Sequence, residues 1–171
     1  MKNLHFILIL LSIVFMSCGN ESTKKNDSII GMEFQKFNQI KQLSNYIKIS
    51  DTVVYENNFE PKHGILHLRD KTNNLIVLKS ITLNSKNKNR IFKILDTLII
   101  RNLDKPELIT IGYCEINNNI DVNLISIVDK TDSLHIQSIK KVWKANIISE
   151  KFEIVNDISR INCLNEWFVK Q

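Results

Sequence analysis

The chain of 171 residues contains a single alanine, Ala145, with only four glycines, two prolines and three cysteines. Alanine is the strongest helix former, so its near absence argues against a helical bundle. With so few glycines, neither a G-x-x-x-x-G-K-[ST] phosphate loop nor a G-x-G-x-x-G fingerprint occurs. A G-x-S-x-G nucleophile elbow is missing as well. The low glycine and proline content excludes collagen-like and Pro-rich chains. Three cysteines are too few for a disulfide-dense miniprotein. What is abundant is isoleucine, 28 residues, and asparagine, 21 residues. The first is a strand former and the second a turn former. A hydrophobic content of 43% with 24% charged residues is ordinary for a folded chain, and the length suits one domain.

The first residues read as an address. Lys2 provides a positive start, and Leu4 to Met16 is apolar except for His5 and Ser12. Such a run suits a secretory signal and is shorter than the about 20 residues a spanning helix needs. It ends in Phe15-Met16-Ser17-Cys18, a small residue before a cysteine, which resembles a bacterial lipoprotein signal. The resemblance implies cleavage before Cys18, a thioether-linked diacylglycerol on its sulfur and an acylated amine. Multiple acyl chains give stable anchoring where one does not. The expected organisation is a signal peptide over 1–17, a lipidated cysteine and flexible tether over 18–28, and one β-rich domain over 29–171. Gly19, where an enteric-type sorting rule would want Asp for inner-membrane retention, points to the outer membrane.

Loss of Lys2 with the signal leaves 22 of the 23 Lys and Arg residues against 18 Asp and Glu. This mild excess does not imply nucleic acid for an exported protein. The clusters Lys86, Lys88, Arg90 and Lys140, Lys141, Lys144 read as solvated lysines guarding loops and sheet edges.

Ile30, Phe34, Phe37, Ile40, Leu43 and Ile47 recur in steps of three and four, which predicts one amphipathic helix over Glu33 to Leu43. Beyond Asn45 short β-branched runs alternate with Asn, Asp and Lys clusters. The predicted strands are 52–55, 64–69, 75–83, 90–100, 108–116, 120–128, 134–142 and 152–155. Most breaks are a few residues long, too short for parallel crossovers. The fold class that follows is mainly β, an antiparallel sandwich, meander or partly closed barrel. In 120–128, Ile120, Val122, Leu124 and Val128 face one way and Ile125 and Ile127 the other. That pattern suits a sheet covered on both sides or a strand changing layers. Asn73-Asn74, Ile81, Leu83 and Phe92 find echoes 44 residues on, so two related hairpin units and coincidence both remain open. Phe92, Ile94, Ile109, Ile111, Leu124, Val128, Ile139 and Trp143 are the expected core.

No residue earns a catalytic assignment, and no cofactor is implied. His63 and His67 have H-x3-H spacing, but on a strand such residues lie about 13 Å apart, beyond what two zinc–nitrogen bonds span. No metal site is expected there. His135 stands alone and is expected to be exposed. The asparagines at 117–119 and 123 with Asp121 lack the glycine and closing glutamate of a calcium loop and read as a turn. Cys114 and Cys163 are an even pair once Cys18 is lipidated. In an exported chain they form either a disulfide or two separately buried thiols.

Gly112-Tyr113-Cys114-Glu115-Ile116-Asn117, Asp121 to Val128, Lys141-Val142-Trp143-Lys144-Ala145-Asn146, Lys151-Phe152-Glu153 and Cys163-Leu164-Asn165-Glu166 follow in order. This order resembles a group of uncharacterised lipoproteins from Gram-negative bacteria with AT-rich genomes. It spans Lys93 to Glu166 and departs at Ser126, where alanine is expected. The resemblance carries no catalytic residue, but supports pairing of Cys114 with Cys163. The functional expectation is a non-enzymatic, lipid-anchored module, bound to the membrane through Cys18 and contacting an envelope protein. Its alternative is a carrier of a lipid or metabolite in a lipocalin-like barrel.

Overall fold

The computed structural model describes residues 28–54, 61–84 and 88–168. The expected signal peptide, Cys18, nearly all of the tether and Lys86 lie outside the described residues. Among those described, thirteen strands occur: β1 (Glu33–Phe34), β2 (Ile47–Val54), β3 (His63–Arg69), β4 (Asn73–Leu83), β5 (Arg90–Arg101), β6 (Glu107–Ile111), β7 (Cys114–Ile116), β8 (Asn119–Ile120), β9 (Leu124–Asp129), β10 (His135–Ile136), β11 (Ile139–Asn146), β12 (Lys151–Ile154) and β13 (Ile161–Leu164). Their pairings are all antiparallel. They build three sheets, ordered β1-β5-β4-β3-β2, β12-β11-β9-β6 and β10-β13-β7-β8. Each order is open, ending on two edge strands, so the barrel alternative gives way to a layered sandwich.

The first sheet is covered on both faces. Leu66, Leu68, Leu75, Val77 and Ile94 pack beneath Phe34, Ile40 and Leu43 of the N-terminal segment. On the other face Ile65, Ile76, Leu78 and Ile100 meet Ile111, Ile125 and Ala145 of the second sheet. The far side of the second sheet, with Leu124, Val128 and Val142, packs on Cys114, Ile136, Ile161 and Cys163 of the third. Thus Leu124 and Val128 face one layer and Ile125 and Ile127 the other, as their alternation predicts. Of the expected core, Ile94, Ile111, Leu124 and Val128 are buried. Phe92, Ile109, Ile139 and Trp143 pack against the clusters as partly buried side chains.

The helix expected over Glu33 to Leu43 does not form. In its place are β1 and two 3-10 turns, Phe37–Gln39 and Lys41–Leu43, separated by Ile40 in an extended conformation. Phe34 is taken up instead by β1, where it pairs with Phe92 of β5, and the extended backbone at Ile40 stops either turn from continuing. Gln39 Oε1 accepts hydrogen bonds from the backbone N–H groups of Gln35 and Lys36, at 2.9 and 3.0 Å, closing the first turn.

Three predicted strands are each divided where the chain changes layers. Gly112, with φ of 78°, separates β6 in the second sheet from β7 in the third. Asp121 Oδ1 accepts from Asn123 N–H at 3.0 Å in the bend between β8 and β9. This bend leaves Ile120 and Val122 exposed, so they do not share the buried face expected for them. Gln137 and Ser138 separate β10 from β11 in the same way. The echo at 44 residues is not a repeated unit: β4 is one continuous strand, whereas its counterpart comprises a turn, β8, a bend and β9. The strand β13, missed because Asn162 interrupts a short apolar run, supplies the partner for β7.

Candidate functional site

Lys79 lies near the end of an otherwise buried stretch of β4 and is itself 2% exposed. A buried cation is costly unless it is paired. Its partner is Asp51 on β2, Nζ to Oδ1 2.6 Å, with the carboxylate about one third open to solvent. Lys79 pairs directly with Gly64 of β3, which in turn pairs with Val53 of β2. The lysine stem therefore crosses β3 over Gly64 to reach Asp51. A Cβ on Gly64 would stand 2.8 Å from the Thr52 carbonyl oxygen and 3.1 Å from Lys79 Cε. Gly64→Ala is accordingly expected to destabilise the fold by about 1–3 kcal/mol, because the close backbone contact cannot yield as a side chain would. Urea unfolding measures it, and an unchanged midpoint would remove the steric argument.

Two irregularities frame the pair. The β2–β3 register shifts between Lys48 and Ser50, and the β4–β5 register between Leu78 and Lys79. Bulges of this kind re-aim side chains and are common beside functional sites. The Phe92 ring lies 4.1 Å from Lys79 Nζ, within cation–π range, and Phe34 stacks at a tilt on Phe92 with centroids 5.4 Å apart. Burial pushes the Lys79 pKa below its usual value. The hydrogen bond and charge of Asp51 oppose that shift, and the positive charges of Lys48 and Arg90 reinforce it.

Above the pair a cavity of about 220 Å³ opens between the first 3-10 turn and the first sheet. Its walls include Phe34, Phe37 and Phe92, with Lys36, Lys48 and Asp51. A hollow that joins aromatic walls to a few convergent charged groups has the makings of a binding site. Sequence reading did not single out Lys79 or Asp51. The available signal was one lysine inside the apolar run of β4, opposite a strand glycine.

The residues singled out from sequence lie elsewhere. Cys114 and Cys163 form a disulfide between paired positions of β7 and β13, with Cα atoms 4.0 Å apart. Both are fully buried, and Cys114 Sγ is 3.2 Å from Ser126 Oγ. His63 and His67 lie on β3. His67 is buried, its Nε2 is 3.0 Å from Asn74 Oδ1, and burial lowers its pKa. His135 is exposed on β10. Of the basic clusters, Lys140 pairs with Asp129 and Lys144 with Asp121, each at 2.8 Å, and Lys141 lies over the Trp143 ring. A wider, shallower depression of about 520 Å³ borders the β3–β4 turn. Asp70 there accepts from Thr72 and Asn73 N–H groups, and hydrogen bonds from Asn73 and Thr72 hold its carboxyl down at about 2. That carboxylate is occupied in closing a turn.

The fold and this constellation define an antiparallel β-sandwich with a lysine-floored cavity on its first sheet. No protein-family model, curated protein or solved structure matches the chain.

Proposed function

We propose that the chain is an exported, lipid-anchored β-sandwich that acts by binding rather than catalysis. Its anchor is Cys18 at the outer membrane, and its partner is a protein of the cell envelope. The observation that carries export is the Cys114–Cys163 bond, fully buried between the second and third sheets. Stable structural disulfides belong to oxidising compartments outside the cytosol. The apolar run Leu4 to Met16 before Ser17-Cys18 supports the same address and adds the lipid. A ligand-binding reading also has a specific observation in its favour, the cavity beside Lys79. It needs no closed barrel.

Cys18→Ala is expected to block signal processing and to move the protein from the detergent phase to the aqueous phase on phase separation. Mass spectrometry of the wild-type N-terminal peptide should find a thioether-linked diacylglyceryl group on the Cys18 sulfur and an acyl chain on its amine. An unacylated first residue would end the anchor reading.

A further inference from the structure

The cavity beside Lys79 has about 220 Å³ of space, more than the roughly 150 Å³ that admits benzene in an apolar protein interior. One aromatic ring or a short aliphatic body fits against Phe34, Phe37 and Phe92. The charge around it is one-sided: Lys36, Lys48 and Lys79 stand against Asp51 alone. A cationic ligand would meet three ammonium groups of its own sign. An ammonium carries three donors. Among the described residues Asp51 takes one of those of Lys79, while the Phe92 ring faces the nitrogen. Lys79 lines the cavity with donor capacity left over, and an anion entering there would replace part of the hydration that burial removes.

We propose that this cavity binds a small organic carboxylate, its apolar body on the three phenylalanine rings and its carboxylate on Lys79, with Lys48 at the rim. The inference deepens the binding reading above and rests on it, but not on the lipid anchor. The test is calorimetric titration of the full chain with phenylacetate, in nanodiscs or in buffer according to where the chain partitions. The isosteric probes 2-phenylethanol and 2-phenylethylamine carry the same ring with a neutral and a cationic head.

Saturable one-to-one binding of phenylacetate is expected, with both controls at least tenfold weaker. Lys79→Met should weaken phenylacetate by about tenfold or more, the scale of a lost charged hydrogen bond. Because that variant also leaves Asp51 without its partner, Lys48→Gln on the exposed rim provides an independent reading. It should bind about threefold more weakly with its melting temperature unchanged, as a screened surface charge does. Absence of saturable phenylacetate binding, equal binding of 2-phenylethanol, or unchanged affinity in both variants would overturn the proposal. A chain that binds phenylacetate but carries no lipid refutes the anchor and leaves the pocket. A lipidated chain that ignores phenylacetate does the reverse.

Discussion

Replacing Cys114 and Cys163 together by alanine is expected to lower the unfolding free energy by about 4 kcal/mol. The bond closes a segment with a sequence separation of 49 residues. For a loop of that size the chain-entropy account gives a loss of this order once the unfolded chain is released. For a domain of this length the melting temperature should fall on the order of 10 °C. The position of the bond amplifies its effect. It ties β7 to β13 in the third sheet, the one with the shortest strands, and both sulfurs face the second sheet. Scanning calorimetry of the wild type with and without reductant, beside the double variant, measures it. A shift below about 2 °C would show that the three-layer core holds without the link.

Asp51→Val is expected to cost about 3 kcal/mol, while combining it with Lys79→Met should recover most of that loss. Removing only the carboxylate leaves the Lys79 ammonium buried and uncompensated, whereas removing both charges leaves an apolar layer. The estimate sits at the low end for a buried pair because the Asp51 carboxylate is partly solvated. Urea unfolding of the two single variants and the double variant gives the coupling directly.

A pH series adds a second check. Burial holds the folded-state pKa of Lys79 below its usual 10.5. Between that lowered value and 10.5 the unfolded chain binds more protons at this site than the folded chain. Its contribution to stability therefore rises with pH across that window, and below it the burial penalty is fully present. The stability difference between wild type and Lys79→Met should shift in favour of the wild type as the pH approaches 10.5. A flat or falling difference would show that Asp51, rather than desolvation, controls the lysine.

Much of the strand architecture was legible because β-branched runs and Asn-rich breaks act locally. An Ile-rich run extends whatever lies across from it, and Asn117 and Asn118 adopt positive φ in the β7–β8 turn. The two faces of β9 could be read from period-two alternation alone. Amphipathic spacing is shared by several conformations, so the pattern over Glu33 to Leu43 does not by itself select a helix. Phe34 pairs with Phe92 across β1 and β5, and no local feature announces such a partner 58 residues away.

Composition and local pattern sufficed for an antiparallel β chain with short turns and for a pair of cysteines free to meet. Those properties depend on backbone preference and on neighbours a few residues apart. The three-layer stacking, the breaks at Gly112 and Asp121 and the Lys79 site required the folded chain. Lys79, Gly64, Asp51 and Phe92 come from four strands, and each alone is unremarkable. Register between strands brings the lysine over the glycine to the carboxylate, and packing of the N-terminal segment adds the phenylalanine walls. A site made from such pairings depends on long-range registry, which a linear pattern of residues does not encode in any one place.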